Sequence, residues 1–169
     1  MGRPTMDSFP DAAVLATALG CGLVGGVFFA FSTFVMDGLA ELAPAQGIAA
    51  MQSINRTAIS PLFMLALFVT AAGCLGLIVW AGVSWGQPRA PWMLAGGALY
   101  LAGTIVVTMA ANVPRNDRLA KLDPHGVDAA ERWATYVSEW TTWNHVRTAA
   151  GLGAAALLMI ALVVGSEAS

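Results

Sequence analysis

The sequence predicts an all-α fold, a four-helix transmembrane bundle with amphipathic helices in the first and third connectors between the spans. Composition is the first reason: 57% of the residues are hydrophobic and 11% are charged, whereas soluble domains carry about 25% charged residues. The second reason is four apolar runs, each long enough at roughly 20 residues to cross a bilayer. The net charge of −2 offers no basic surface, so nucleic acid is not an expected partner.

The apolar runs define a single integral membrane domain of residues 1–169. We expect the spans at about residues 12–36, 61–85, 92–113 and 145–165. Pro114 follows the third run and restricts the residue before it, which favours a helix end at that point. Cys21 and Cys74 lie deep in apolar runs, so we predict small buried side chains rather than a disulfide or a metal pair.

The first connector, residues 37–60, contains a helical pattern that starts at Pro44, a residue suited to the first turn of a helix. Gln52 and Asn55 share one face of this helix with apolar residues. Two interpretations remain open: a partly wetted interfacial helix, or amides that turn inward to a polar pocket.

The third connector begins with a charged stretch, residues 115–127, which contains a turn signal at residues 123–126. No Gly or Pro interrupts residues 127–150, so one helix can continue from there into the fourth span.

Basic residues concentrate in the two long connectors: Arg56, Arg115, Arg118, Lys121 and Arg132, against Arg3 in the N-terminal tail and Arg89 in the second connector. The positive-inside rule therefore predicts a cell-membrane protein with both long connectors in the cytoplasm and both termini outside.

The stretch 133–147 carries three of the six tryptophans ahead of the last apolar run. At about 100° per residue, one arc of roughly 100° holds most of its large polar and aromatic side chains. These are Trp133, Tyr136, Trp140, Trp143, Asn144 and Arg147. We expect other parts of the chain to pack against this face, so that it forms one wall of a site. His145 points about 120° away from the arc.

The two long connectors meet on one side of the predicted bundle. They bring a second polar set toward this face: Asn55, Arg56, Asn112, Arg115 and Asn116. Polar groups at a membrane boundary are costly unless they are paired, so this cluster is a functional-site hypothesis. The alternative is that the aromatic residues are interfacial anchors and that Arg147 reaches the headgroups. His145 is the one near-neutral base of the region, and no metal-ligand set, flavin fingerprint, phosphate loop or Ser-His-Asp set is visible.

Four phrases of the sequence resemble a family of small bacterial and fungal membrane proteins that includes the anthrone oxygenases of aromatic polyketide pathways. The phrases are F-F-A-F-S-T-F-V-M-D-G-L at 28–39, A-M-Q-S-I-N-R at 50–56, N-V-P-R-N-D-R-L-A at 112–120 and W-x-x-Y-x-x-x-W-T-T-W-N-H-V-R-T at 133–148. The similarity covers nearly the whole chain, in order. Asp37 departs from the pattern, since many relatives have proline before this Gly-Leu pair.

The resemblance implies oxidation of an anthrone to an anthraquinone by molecular oxygen, with no bound metal or flavin and no other cofactor. It implies an oxyanion clamp of Asn112, Asn116, Asn144 and Arg147, an aromatic slot of Tyr136, Trp140 and Trp143, and His145 as the base. The catalytic candidates are then His145, Arg147 and Asn144, although the helical spacing sets His145 apart from the others. Expected partners are a hydrophobic aromatic molecule and the lipid bilayer, and a homo-oligomer is possible.

A second class of function fits the same residues. A non-catalytic membrane module that binds a lipid, a quinone or a partner protein would need the aromatic slot but no base. A transporter is less favoured, because the spans lack central ionisable residues and four spans would need an oligomer to form a pathway.

Overall fold

The computed structural model describes residues 8–167, a range that excludes Arg3, and it is all-α as predicted, with no strand among those residues. It contains five helices. Helix α1 joins Ser8–Ala30, a π-helical turn at Phe31–Val35 and Met36–Ala40; α2 spans Pro44–Thr57, α3 Pro61–Val83, α4 Ala90–Ala120 and α5 Ala129–Glu167.

Helices α1, α3, α4 and α5 are long and apolar enough to cross a membrane. Each of them packs against two others, so that the helices form a closed ring in the order α1, α3, α4, α5. The centre of the bundle is filled by buried side chains such as Val14, Met93 and Leu158, whereas Leu19, Leu65 and other large apolar residues point outward. An apolar exterior around an apolar core is what a bilayer requires, and the predicted four-helix bundle is confirmed.

Helix α2 lies across one end of the bundle. It begins at Pro44, as predicted, and buries Ile48 and Met51 in a cluster with the first turns of α5. The Gln52 amide donates to the Leu119 and Leu122 carbonyl oxygens, at 2.8 and 2.9 Å, and ties α2 to the end of α4. The amide of Gln52 is thus turned inward, and the two long connectors meet at the same end.

Helix α4 does not end before Pro114, and that expectation is wrong. The helix contains two π-helical turns, Leu101–Val106 and Thr108–Asn112, and then continues as an α-helix from Val113 to Ala120. Pro114 falls in the first turn of this last α-helical segment, where a missing N–H is tolerated. The third connector therefore has no separate helix: its amphipathic residues belong to the end of α4 and to the start of α5.

Helices α1 and α5 touch through their backbones at Gly25 and Gly151. A Cβ atom at Gly25 would lie 2.9 Å from the Leu152 backbone nitrogen, and one at Gly151 would lie 2.9 Å from the Gly25 Cα. Two glycines at one crossing allow this close approach. The contact fixes α5, which carries most of the candidate site, against α1.

A short sequence, Thr-Ala-x-Gly-Cys, occurs at residues 17–21 of α1 and 70–74 of α3, and its two copies pack against each other. The threonine of each copy lies against the glycine of the other. Cys21 and Cys74 are free, fully buried thiols with their sulfur atoms 3.7 Å apart. The prediction of small buried side chains at both cysteines is confirmed.

The opposite end of the bundle is held by an ion pair. The Arg89 Nη1 atom lies 2.8 Å from the Asp11 Oδ1 atom, and both side chains are largely buried. Because removal of one partner leaves a largely buried charge uncompensated, Asp11→Ala should lower the free energy of unfolding by about 3 kcal/mol. We would measure this by SDS titration of the purified protein, followed by tryptophan fluorescence.

The exposed pair of Arg132 and Asp128 is the matched control. Solvent screens a pair of this kind, so Asp128→Ala should change the same free energy by less than about 1 kcal/mol. Equal effects of the two substitutions would contradict a stabilising role for the Asp11–Arg89 pair.

Candidate functional site

Three aromatic rings of the predicted face form a stack along α5. Trp133, Tyr136 and Trp140 are all buried, and their ring centroids follow one another at 5.7 and 6.4 Å. Phe31, from the π-helical turn of α1, contacts Trp140 at 5.7 Å. Spacings of three and four residues place side chains one above the other on a helix. The rings therefore cover one another, and Trp143, which is 39% exposed, presents the more open indole surface.

Asn116 joins α4 to the aromatic stack. Its Oδ1 atom accepts hydrogen bonds from the Tyr136 hydroxyl at 2.9 Å and from the Trp140 Nε1 atom at 2.8 Å. The Asn55 amide of α2 donates to the Tyr136 hydroxyl at 3.4 Å. The structure thus brings together four of the predicted residues from three helices, and their polar atoms bind one another.

Asn112 lies one turn deeper in the bundle. It is fully buried, and its amide donates to the Trp140 carbonyl oxygen at 3.2 Å. In the described part of the chain its Oδ1 atom has no hydrogen-bond partner. A buried, unpaired carbonyl oxygen is costly in an apolar medium, so this atom is a candidate contact for a ligand or for water.

Asn144 and Arg147 form the innermost polar cluster. The Asn144 amide donates to the Phe28 carbonyl oxygen and to the Ser32 hydroxyl, both at 2.7 Å. Its Oδ1 atom accepts from the Arg147 Nη2 atom at 2.7 Å. Ser32 belongs to the π-helical turn of α1, and π-helical turns are frequent at functional sites.

Arg147 is buried without a counter-ion. It is 4% exposed, and no carboxylate among residues 8–167 pairs with it. Its guanidinium carbon lies 4.2 Å from the Phe28 ring centre and 5.0 Å from that of Trp140. The Nη1 atom bonds weakly to the Thr108 hydroxyl at 3.4 Å, and the Nε atom has no partner in the described range. A buried cation of this kind attracts an anion or a developing oxyanion.

Arg115 lies at the edge of the site. Its Nε atom pairs with the Glu139 Oε2 atom at 2.9 Å, and its Nη1 atom donates to the Ala111 carbonyl oxygen at 2.8 Å. The guanidinium lies 6.0 Å from the Trp143 ring centre. A groove of about 580 Å³ opens here between the end of α4 and the start of α5, with Arg115, Tyr136 and Glu139 in its lining. This volume falls in the usual range for small-molecule sites, but most of the lining residues are charged, whereas such sites are usually lined by apolar side chains.

Two predicted residues lie apart from these clusters. His145 and Arg56 are exposed, and in residues 8–167 neither makes a hydrogen bond or an ion pair with a side chain. The outward position of His145 agrees with its angle on the helix. Its role as the base stays a prediction.

Three polar residues that the structure brings into the site were not among the predicted ones: Ser32, Thr108 and Glu139. Phe28 and Phe31 were not predicted either. Ser32 stands within one of the phrases at residues 28–39 but carries no periodic signal. Thr108 belongs to a polar stripe on α4, where a threonine often bonds only its own backbone. Glu139 precedes Trp140 by one residue and resembles any solvated helix carboxylate. No group of three or more His, Cys, Asp or Glu in the described range could hold a metal ion.

Comparison with known proteins supplies the family. A family model described as anthrone oxygenase matches residues 57–157, a segment that contains every residue of the site except those of α1 and α2. No curated protein and no solved structure matches the chain. The match extends over more than half of the sequence, and the chain belongs to the anthrone oxygenase family.

Proposed function

We propose that this protein oxidises a hydrophobic aromatic ketone of the anthrone type to a quinone with molecular oxygen, without a metal or a flavin. The observation that carries the proposal is the uncompensated Arg147 guanidinium, held by Asn144 and flanked by aromatic rings. Removal of a proton from the anthrone methylene carbon gives an enolate, whose charge lies largely on oxygen. A buried cation stabilises this anion more than it stabilises the neutral ketone.

The proposed reaction balances without a cofactor. The enolate carbon transfers electrons to O₂ and binds it as a peroxide, which takes up one proton. The hydroperoxide then loses water, so that anthrone and O₂ give anthraquinone and H₂O. The protein contributes a base, a clamp for the oxyanion and an aromatic surface that positions the ring system.

We place the site on the cytoplasmic side of the cell membrane. Arg56, Arg115 and Arg118 belong to the end of the bundle where both long connectors lie, whereas Arg89 belongs to the opposite end. This distribution supports cytoplasmic connectors under the positive-inside rule. A ketone that partitions into the bilayer would then reach the site from the lipid.

The direct test is oxygen uptake and anthraquinone absorbance with anthrone and the detergent-purified protein, with and without a chelator. Asn144→Ala should lower kcat about 100-fold, because Arg147 loses the amide that orients it. Thr142→Ala is the matched control, since the exposed Thr142 hydroxyl bonds only its own helix backbone. Wild-type turnover in Asn144→Ala, at equal protein in the membrane, would refute the proposed clamp.

A second candidate, a non-catalytic module for a lipid, a quinone or a partner protein, is supported by the groove between α4 and α5. This groove is open to the surface and carries charges of both signs, including Arg115 and Glu139. Saturable quenching of tryptophan fluorescence by anthrone, with no oxygen consumed above the protein-free rate, would favour that function over catalysis.

A further inference from the structure

We infer that Glu139 is the base that takes the proton from the methylene carbon of the ketone, with Trp143 as the surface beneath the rings. The inference rests on the proposed function. Glu139, Trp143 and Arg147 follow one another at four-residue intervals on α5, so they form one row along the helix. The row carries a carboxylate at one end, an open indole in the middle and the uncompensated guanidinium at the other end.

The spacing of this row suits a tricyclic ketone. Glu139 and Arg147 are eight residues apart, which is about 12 Å along a helix. A base at the methylene carbon and a donor at the carbonyl oxygen across the central ring are at most about 10 Å apart, if each lies at hydrogen-bond distance from its atom. Two flexible side chains can adjust to the difference.

Arg115 holds the Glu139 carboxylate in position for this role. The Arg115 Nε atom holds the Oε2 atom at 2.9 Å, while its Nη1 atom is fixed to the Ala111 carbonyl oxygen in the last π-helical turn of α4. Oε1 has no protein partner in the described residues, so one carboxylate oxygen is available to a substrate. The side chain is 46% exposed and lines the groove, which gives the proton a route to water.

Three other carboxylates near the groove are less suited. Asp128 is engaged by Arg132, and Asp123 accepts a hydrogen bond from the backbone N–H of His125. Glu131 also lines the groove, but it precedes Glu139 by eight residues and lies about 12 Å farther from Arg147 along the helix. His145 lies about 120° around the helix from Glu139 and is exposed away from the polar clusters.

The step that Glu139 performs conserves atoms and charge. The methylene C–H bond breaks, the proton passes to Oε1, and the electron pair remains on the substrate as the enolate. After O₂ adds, the protonated Glu139 returns the proton to the peroxide, and loss of water leaves the quinone. The carboxylate is thus regenerated in each turnover.

The test measures oxygen uptake with anthrone by the full-length purified protein, with protein-free autoxidation subtracted. Glu139→Gln should lower kcat by at least about 100-fold and change KM less than about threefold, because the amide keeps the shape but accepts no proton. In Glu139→Ala, added formate should restore activity in proportion to its concentration, which a purely structural defect would not allow. Glu41→Gln, at an exposed position outside the site, should behave as the native protein.

The outcomes separate the two claims. If the native protein consumes no oxygen above background, the proposed function fails, and the role of Glu139 fails with it. If the native protein is active and Glu139→Gln retains its kcat, only the assignment of the base is overturned. Loss of activity in His145→Gln together with full activity in Glu139→Gln would identify His145 as the base instead.

Discussion

Replacement of Arg147 by methionine is expected to lower kcat for anthrone oxidation at least about 100-fold while leaving the bundle as stable as the native protein, or more stable. The guanidinium is buried between the Phe28 and Trp140 rings without a carboxylate partner. A desolvated charge of this kind is costly, and an apolar side chain of similar length often stabilises a protein in its place. This gain offsets the lost hydrogen bond to the Asn144 Oδ1 atom. The assay is oxygen uptake, with stability measured by SDS titration.

Asn144→Asp tests whether activity needs the net positive charge at Arg147, because it keeps Arg147 and adds a negative charge beside it. The new carboxylate would have nearly the shape of the amide and would lie beside Arg147, whose Nη2 atom is 2.7 Å from the present Oδ1 atom. It would neutralise the cation that attracts the enolate, so kcat should fall although Arg147 is still present. Full activity in either Arg147→Met or Asn144→Asp would show that the enolate does not depend on this charge.

Gly25→Ala is expected to destabilise the protein by about 3 kcal/mol, at the upper end of the usual cost of overpacking. Its methyl group would meet the Leu152 nitrogen at 2.9 Å and the Gly151 carbonyl carbon at 3.1 Å. Both atoms belong to the α5 backbone, which cannot move aside as a flexible side chain can. SDS titration with tryptophan fluorescence measures the change.

Gly26→Ala is the matched control, at the next position of the same helix. A Cβ atom there would have no neighbour within 4 Å, so the substitution should be neutral or stabilise the helix by up to about 1 kcal/mol. Similar losses of stability for Gly25→Ala and Gly26→Ala would contradict the backbone contact between α1 and α5.

The sequence predicts the helices of this fold better than it predicts their contacts. Long apolar runs identify the four spans, because a helix that crosses a bilayer needs about 20 apolar residues, and the pattern after Pro44 correctly gives α2. The expected helix end before Pro114 was wrong. The conformational preference that proline imposes is local, whereas the π-helical turns of α4 depend on packing against other helices. Likewise, nothing in the sequence distinguishes Gly25, which meets α5, from Gly26, which meets no other helix.

For the candidate site, the angles on α5 were the useful signal. They predicted a common face for Tyr136, Trp140, Asn144 and Arg147, all of which are buried, and they set His145 apart. They could not show that neighbouring rings would stack on each other. The hydrogen-bond acceptors of the Asn144 amide could not be predicted from the sequence either. The Phe28 carbonyl oxygen and the Ser32 hydroxyl belong to α1, and only the packing of α1 against α5 brings them to Asn144.

The length of α5 determines how deep in the membrane Arg147 lies. Its 39 residues extend about 58 Å, nearly twice the roughly 30 Å of the hydrocarbon layer. Gly165 lies against Arg89 at one end, and Arg147 is 18 residues back, about 27 Å away along the axis. With the Asp11–Arg89 pair at one face of the hydrocarbon layer, Arg147 falls at the other. The buried guanidinium of Arg147 therefore lies at the depth of the headgroups, where under the proposed function a ketone could arrive by lateral diffusion in the lipid without crossing bulk water.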